Sequence, residues 1–363
     1  MKKITLCSAL LPLVFMPTAQ AETAFGNGSL GTVSGDINLF YKSLDNNSAA
    51  DSAYATAFLG LKYQTPEYEG LAAGIAVRHG SELYEKHTND ADEGTNTLVS
   101  EAYIHYSRND FSISLGRQEI DLEWLGDFHE ALTFNTMASA NTELTLGYSR
   151  AIAVAAEDDL QDSFTDIGDE GVYFLDAKVQ PTEFMSLNPY VLYSADIATS
   201  AGLKADLEYS SGIGITLHYA LSNTDIDGET DGDVLHLDVR GNVADVGMNA
   251  GYIKTDKVAG IGHLGDLGDN INPFEEGNQV YEADAKTIYV GAAYGLGNLS
   301  LSALYGQTDD SGNAKEKELD LVAEYDFADQ VENLSLAAVF ADISADSSAD
   351  DYQKLTLMLS YGF

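Results

Sequence analysis

The chain alternates apolar and polar residues over many runs of about ten positions, and beyond Phe25 it shows no convincing amphipathic helix. In one such run Leu319 and Leu321 alternate with Glu318 and Asp320. A period of two residues is typical of a strand with one apolar and one polar face. In water the apolar face would need a second protein layer, whereas in a bilayer lipid can cover it.

The alternating runs number 18, and they begin near positions 33, 54, 70, 97, 111, 131, 142, 171, 184, 203, 213, 233, 245, 286, 298, 317, 333 and 352. Short joints alternate with longer acidic ones, of which the longest cover 80–96, 153–170, 223–232 and 255–285. Short periplasmic turns and long extracellular loops are the layout of an outer-membrane barrel. The pattern predicts an all-β protein, a closed antiparallel transmembrane β-barrel of 18 strands, with 16 as the alternative.

Tyrosines support this prediction because they fall near strand ends on the apolar phase. If odd-numbered strands run outward, one belt lies near the outer rim: Tyr41, Tyr148, Tyr193, Tyr219, Tyr252 and Tyr305. The second belt lies near the inner rim: Tyr63, Tyr106, Tyr209, Tyr294, Tyr325 and Tyr361. Two aromatic belts are expected at the two headgroup levels of a bilayer.

Strands in hydrocarbon must pair every backbone N–H and C=O group, so the sheet has to close on itself. Eighteen strands enclose a lumen too wide for strand side chains alone to fill. The chain has no spare segment of plug-domain size. We therefore expect a water-filled channel narrowed by infolded loops.

Charge and composition exclude other classes of protein. The 363 residues carry 58 Asp and Glu against 18 Lys and Arg, a formal net charge of −40. Such a polyanion is a poor partner for nucleic acid, which is bound by clustered Lys and Arg. A single Cys excludes an intrachain disulfide framework.

Met1 to Ala21 resembles a cleaved export signal, with Lys2 and Lys3 followed by an apolar stretch and the small-x-small site Ala19-Gln20-Ala21. The apolar stretch is too short to span a bilayer. We expect residues 1–21 to be a signal peptide and residues 22–363 to form a single transmembrane barrel domain.

Two acidic loops could supply the constriction, the stretch 119–130 and the connection 255–285. A connection as long as the second is usually functional or infolded. With charged residues of the lumen-facing phase they give the predicted constriction: Glu119, Asp121, Glu123, Asp127, Glu130, Asp266, Asp269, Glu275 and Glu276, with the basic residues Lys62, Arg78, Arg117, Lys178 and Arg240. An acidic mouth and constriction favour cations over anions.

Motifs for other chemistry carry little weight. The run from Asp225 to Asp233 concentrates carboxylates, but Gly228 is misplaced for an EF-hand, so a solvated loop is favoured over a Ca²⁺ site. Gly260 to Gly265 matches G-x-G-x-x-G outside any βαβ context and indicates loop flexibility. No G-x-S-x-G motif occurs. We expect no enzymatic activity and no cofactor.

Several features together resemble the Gram-negative porins over the whole chain after the signal. These are the signal, the strand series and the terminal Phe363, preceded by apolar residues at alternating positions like the signal read by the barrel-assembly machinery. The segment 115–119 (Leu-Gly-Arg-Gln-Glu) is similar to the Gly-Arg-Gln segment of the OprD family, and 272–289 is similar to the major outer-membrane porins of epsilonproteobacteria.

This resemblance implies an 18-stranded barrel in the outer membrane, in contact with lipid and lipopolysaccharide, that passes small hydrophilic solutes. The OprD branch implies a basic ladder for carboxylate substrates, which is not evident here. The epsilonproteobacterial branch implies a cation-favouring homotrimer. Arg117 continues the phase of Leu115, which points to lipid, and only a bulge or a strand end at Gly116 would turn it inward.

The sequence thus predicts an outer-membrane porin for passive diffusion that favours cations. Two alternatives remain open, a substrate-selective uptake channel and a structural or adhesive surface barrel. The first would show saturable transport or current block, and the second negligible conductance.

Overall fold

A computed structural model describes residues 23–24, 30–91, 95–312 and 315–363. The predicted signal peptide lies outside these residues. The described chain is almost entirely β-structure, with two short 3₁₀ turns at Leu264–Leu267 and Ser348–Asp350. None of the helical segments within it has the length and apolarity to span a membrane.

Eighteen strands of nine or more residues form the wall. In chain order they are β1 Thr32–Asn46, β2 Ser52–Gln64, β3 Leu71–Glu85, β4 Asn96–Arg108, β5 Phe111–Glu119, β6 Phe128–Ser139, β7 Thr142–Ala153, β8 Val172–Thr182, β9 Met185–Ser194, β10 Ala198–Glu208, β11 Gly214–Thr224, β12 Gly232–Val243, β13 Val246–Thr255, β14 Lys286–Leu296, β15 Leu299–Asp309, β16 Lys315–Asp326, β17 Leu334–Ala345 and β18 Tyr352–Gly362. Two-residue strands at Thr23–Ala24 and Thr165–Asp166 add to the edges of β1 and β7.

Every strand pairs antiparallel with its neighbours in sequence, and β18 pairs with β1 to close the barrel, with Asp36 opposite Gly362 and Asn46 opposite Tyr352. The prediction of a closed antiparallel barrel with 18 strands is confirmed. Short turns such as Asn109–Asp110 lie at one end, and the long connections lie at the other.

Strand boundaries differ from the prediction where the hydrophobic signal is weak. β10 begins at Ala198 rather than near 203, because its first residues are small and pair with β11, as in the hydrogen bond between Ser200 and Ser222. β3 continues to Glu85 through a register shift near Arg78, so the following loop begins at 86 rather than 80.

The two phases of each strand separate as predicted. Large apolar side chains such as Leu217, Ile104 and Leu301 are exposed on the outside. Their polar neighbours, among them Glu101, Asp176 and His218, are buried in the lumen. All twelve belt tyrosines are exposed or half-buried, whereas Tyr54, Tyr190 and Tyr289 on the opposite phase are buried. The exposed surface of the wall is therefore the lipid-facing surface.

A charge placed in the middle of this surface should destabilise the barrel more than one at its edge. Leu217 lies mid-strand on β11, and Val243 ends β12 on the same outward phase. We expect Leu217→Arg to cost about 2–4 kcal/mol of folding free energy and Val243→Arg about 0–1 kcal/mol, because the cost falls from the bilayer midplane to the interface. Urea-dependent folding into lipid vesicles measures both. Equal costs would contradict the assignment of this face to lipid.

Candidate functional site

The connection between β5 and β6, residues 120–127, folds as a small hairpin. Ile120 N donates to the Asp127 carbonyl at 2.9 Å, and Leu122 and Leu125 exchange backbone hydrogen bonds at 2.9 and 3.1 Å. Trp124 and Asp127 have positive φ angles of 57° and 69°, an uncommon conformation for residues other than glycine. The tight turn places Trp124, the one Trp of the chain, among buried residues of the lumen.

Side chains of the wall hold this hairpin in place. Trp124 Nε1 donates to the Tyr190 hydroxyl at 2.8 Å, and Tyr190 in turn hydrogen-bonds His218 at 2.7 Å. Glu123 is buried and accepts from Lys204 Nζ at 2.8 Å and from Asn270 Nδ2 at 2.5 Å. A buried carboxylate needs such partners to offset its lost hydration.

The long connection 256–285 packs against the hairpin. Gly126 N donates to the Leu267 carbonyl at 2.9 Å, and the ring of Tyr281 lies 6.1 Å from that of Trp124. A Cβ on Gly268 would lie 2.8 Å from Gly126 N, so only glycine permits this approach. A buried hydrophobic cluster joins the two loops to the inner wall from β8 to β15. One side of the lumen is therefore a packed core rather than open space.

The tip of this connection is fixed to β16 and β18, and we call its polar contacts the tip latch. Glu318 accepts from the backbone N–H groups of Glu276 and Gly277, both at 2.8 Å, and Asp320 accepts from Glu275 N at 3.1 Å. Lys354 pairs with Glu275 at 3.1 Å and also with Glu276. The tip thus meets both carboxylate acceptors and a cation on the wall.

A third connection, residues 154–171, also enters the lumen. Leu160 is buried against Phe58, Leu98 and Phe128 of the wall. Glu157 accepts from Asn38 Nδ2 at 2.6 Å, and its carbonyl accepts from Thr56 Oγ1 at 3.1 Å. These contacts direct its acidic segment, residues 157–159, towards β1 and β2.

Charged groups from these loops and from β1, β3 and β5 meet around Arg78. Asp36, Glu119 and Glu157 all have Arg78 as a charged neighbour. Asp158 lies 3.8 Å from Lys42. Asp127 joins this group as a charged neighbour of Glu119, and Asp158 as one of Glu157. We call the six residues of the group the eyelet, and they are Asp36, Arg78, Glu119, Asp127, Glu157 and Asp158.

Arg78 is held by aromatic rings. Its guanidinium carbon lies 4.9 Å from the ring centre of Phe128 and 5.8 Å from that of Phe58. Within the described residues, its Nε atom has no hydrogen-bond partner. Cation–π contacts fix the guanidinium in place, while the five carboxylates of the eyelet outnumber Arg78 and the adjoining lysines Lys42 and Lys62.

Two loop carboxylates of the eyelet, Glu157 and Asp127, have raised pKa values. Burial raises the pKa of Glu157, the charges of Asp36 and Asp158 add to this, and Arg78 partly opposes it. Burial also raises the pKa of Asp127, and Asp159 and Glu119 add to the effect. In the tip latch, burial raises the pKa of Glu275 despite Lys354 beside it. Burial, with neighbouring carboxylates adding to it, therefore holds these groups nearer to protonation than ordinary surface carboxyls.

Eight of the fourteen residues predicted for the constriction lie at or beside the eyelet, in the tip latch or beneath the hairpin. Arg78, Glu119 and Asp127 belong to the eyelet, and Lys62 and Asp121 are charged neighbours of Glu119. Glu275 and Glu276 form the tip latch, while Glu123 is buried beneath the hairpin.

The other predicted residues lie apart from the eyelet. Asp266 binds His263 at 2.8 Å, and Asp269 accepts from Tyr281 within the same connection. Lys178 lies opposite Glu143 near the inner end of the barrel, and Arg240 pairs there with Glu208.

Arg117 and Glu130 lie on the outside. The register continues unbroken from Leu115 opposite Leu132 to Arg117 opposite Glu130, so Arg117 keeps the lipid-facing phase. It binds Glu130 at 3.0 Å and covers the ring of Phe164 at 4.6 Å. Gly116 has φ 125° but neither ends the strand nor turns Arg117 inward.

Sequence reasoning missed the third loop, with Glu157 and Asp158, and the wall residues of the tip latch. Leu160 and Phe164, apolar residues in an acidic loop, were the available signal, because exposed loops do not need them. Glu318 and Asp320 were visible only as polar residues of a strand.

Carboxylates of the acidic segment 225–233 form hydrogen bonds with nearby residues of the loops. Asp231 accepts from Thr224 N at 3.0 Å, and Glu229 binds His263 at 2.8 Å. Over the described parts of the chain, no group of three or more His, Cys, Asp or Glu side chains is arranged to hold a metal ion. The preference for a solvated loop over a Ca²⁺ site in this segment stays a prediction from the sequence.

A closed 18-stranded barrel with loops folded into its lumen has the architecture of an outer-membrane channel, and the sequence matches the Gram-negative porin family over residues 9–348. This chain is a Gram-negative porin. It is an outer-membrane channel for small solutes and not an enzyme. No curated protein sequence matches it.

Solved structures share the porin's fold at low sequence identity. OccK9 (OpdG) of Pseudomonas aeruginosa superposes with a TM-score of 0.79 at 15% identity, covering 91% of this chain and 97% of that one. OccAB4 of Acinetobacter baumannii gives 0.75 at 14%, with 96% and 99% covered. OpdK of Pseudomonas aeruginosa with vanillate gives 0.75 at 14%, with 91% and 98% covered.

Removing the cation of the tip latch should free the tip of the porin's long loop. Lys354→Met leaves Glu275 and Glu276 buried without their counter-ion, which typically costs about 3–5 kcal/mol. We expect a higher single-channel conductance and cleavage of the folded protein at 272–278 by a Glu-specific protease. Lys86→Met, which removes an exposed pair with Asp51, is the matched control. An uncleaved loop with parental conductance would show that Lys354 does not hold the tip.

Proposed function

We propose that this porin is a general diffusion channel that passes small hydrophilic cations in preference to anions. The observation that carries the proposal is the eyelet, in which three carboxylates from β1, β5 and an infolded loop are charged neighbours of Arg78 and two more from the infolded loops adjoin them. Fixed negative charges in a narrow passage with low-dielectric walls raise the local concentration of cations.

The distribution of basic residues supports diffusion over substrate-selective uptake. Lys62 pairs with Glu101 at 2.8 Å, Lys204 with Glu123 and Lys354 with Glu275. Each of these lumen cations is balanced by a carboxylate, so they do not form a path of free positive charge for anionic substrates. A structural or adhesive barrel would not need such a passage.

We further propose, in line with the porin resemblance, that the protein assembles as a homotrimer and that residues 1–21 are removed on export. Lipid and lipopolysaccharide would surround the outward face. These features rest on the sequence and on the lipid-facing tyrosine belts.

Neutralising the third loop should weaken cation preference. We expect Glu157→Gln with Asp158→Asn to lower the cation-to-anion permeability ratio about two- to fivefold per charge, since one charge a few ångströms from the path contributes about 0.5–1 kcal/mol in a hydrated pore. Reversal potentials in planar bilayers under a KCl gradient provide the measurement.

Asp225→Asn with Asp227→Asn is the matched control, because these residues lie in the exposed loop 225–231 outside the eyelet. The control should keep the parental ratio. An unchanged ratio in the Glu157/Asp158 variant would refute the proposed role of the eyelet, and negligible conductance of the parent would favour the structural alternative. Saturating current block by one solute class would favour selective uptake.

As the pH is lowered, the cation preference should begin to fall at a higher pH than ordinary carboxyl groups would give. A carboxyl with a raised pKa takes up its proton earlier as the pH falls, so Glu157 and Asp127 lose their charge above the ordinary carboxyl range near pH 4. Reversal potentials measured from pH 8 to pH 4 should show this loss, with a smaller amplitude in Glu157→Gln. A transition confined to pH 4 and below, identical in both proteins, would contradict the raised pKa values that burial gives these carboxyls.

A further inference from the structure

Four lysines share one part of the outward face at the extracellular rim, although the porin has a formal net charge of −40. We call them the lysine row, and they are Lys254, Lys286, Lys315 and Lys317. Strand phase places them outside, because the alternate residues Ile253, Thr255 and Thr287 are buried in the lumen, as are Glu316 and Glu318.

Backbone register makes the row continuous over β13 to β16. Lys254 is the direct Cα partner of Lys286, Lys286 of Asp309, and Asp309 of Lys315. Lys317 follows two residues later on the same face, opposite Gln307. With neighbouring strands about 4.8 Å apart, the row covers about 14 Å of the rim, a width comparable to a disaccharide headgroup.

Its height matches the headgroup level of the outer leaflet. Tyr252 of the outer tyrosine belt lies two residues below Lys254, and exposed Ile288 lies two residues below Lys286. Val290 and Tyr305 continue the apolar surface below them. The ammonium groups therefore lie directly outside the hydrocarbon boundary.

Protein carboxylates neutralise only half of this charge. Lys286 pairs with Asp284 at 3.3 Å and Lys315 with Asp309 at 3.5 Å. Among the described residues, Lys254 and Lys317 have no ion pair within 4.0 Å. Like charges directly opposite each other on neighbouring strands destabilise a sheet. An external anion bound between Lys254 and Lys286 would relieve this repulsion.

A second basic cluster on the outward rim, at Arg117 and Arg150, is balanced by carboxylates. Arg117 and Arg150 share Glu130, and Arg150 also binds Asp166 at 2.8 Å. Two guanidinium groups and two carboxylates balance there. Within the described residues, the lysine row is thus a cluster of outward lysines at the extracellular rim in which two have no ion pair.

We propose that the lysine row binds the phosphate groups of the outer-leaflet glycolipid. Ammonium groups bind phosphate as point charges, and the exposed side chains of Ile288, Val290 and Tyr305 offer a surface for the acyl chains of the same molecule. Free phosphate has no part that uses this apolar surface. The site is separate from the channel and independent of its ion preference.

Titration of the detergent-solubilised porin with lipid A tests the proposal in three arms, diphosphorylated lipid A, dephosphorylated lipid A and inorganic phosphate. Replacing all four lysines by Gln should weaken binding of diphosphorylated lipid A at least about tenfold, since each lysine near an anionic lipid surface contributes appreciably. Replacing them by Arg should preserve binding. Heat-modifiable migration on gels verifies that each variant is folded.

Lys86→Gln with Arg108→Gln is the control, because Lys86 lies in an outer loop and Arg108 ends β4 at the opposite rim. It should bind lipid A like the parent. Parental affinity in the four-Gln variant would overturn the proposal, as would equal binding of dephosphorylated lipid A or inorganic phosphate that binds as tightly as the lipid. A changed oligomeric state with intact lipid binding would assign the row to a subunit contact instead.

Discussion

The structure depends on the need to pair every backbone N–H and C=O group inside a bilayer, where water cannot replace a missing partner. Closure of β18 on β1 meets this need. With 18 strands, closure also encloses more space than strand side chains can fill. The infolded loops fill part of this space, and they carry many of the charged groups of the candidate site into the lumen.

Inside the barrel, apolar and polar contacts have different roles. The cluster around Trp124 and Phe274 provides hydrophobic burial that holds two loops against β8–β15. The tip latch at Lys354 and the hydrogen bonds to Glu123 fix the position of these loops, because hydrogen bonds to charged groups are stronger than those between neutral groups. The charged groups around Arg78 lie apart from this packed core.

The acidic excess of the porin is unevenly distributed. Carboxylates concentrate in the loops and the lumen, whereas the lysine row faces the membrane at the outer rim. In the proposed function the carboxylates face the passing solutes, and the proposed glycolipid site uses the lysines that face the membrane. Net charge alone, at −40, describes neither surface.

Strand number, closure and the two tyrosine belts could be predicted from the sequence, because a period of two residues is a local property that lipid reinforces at every strand. Strand ends with small, weakly apolar residues, such as the start of β10 at Ala198, could not be located by this period. Two of the three infolded loops were anticipated from their length and charge. The positions of Arg78, Glu157, Glu318 and Lys354 relative to one another were not, because each belongs to a different strand or loop.

The sequence by itself determined which side chains face lipid and which face the lumen. Only the tertiary structure decided which of the inward charges meet. Alternation specifies direction along a single strand, whereas a meeting of residues 36, 78, 119 and 157 depends on barrel closure and on how the loops pack inside it. That packing arises from contacts between residues more than 100 positions apart, such as Asn38 and Glu157, which no local pattern records.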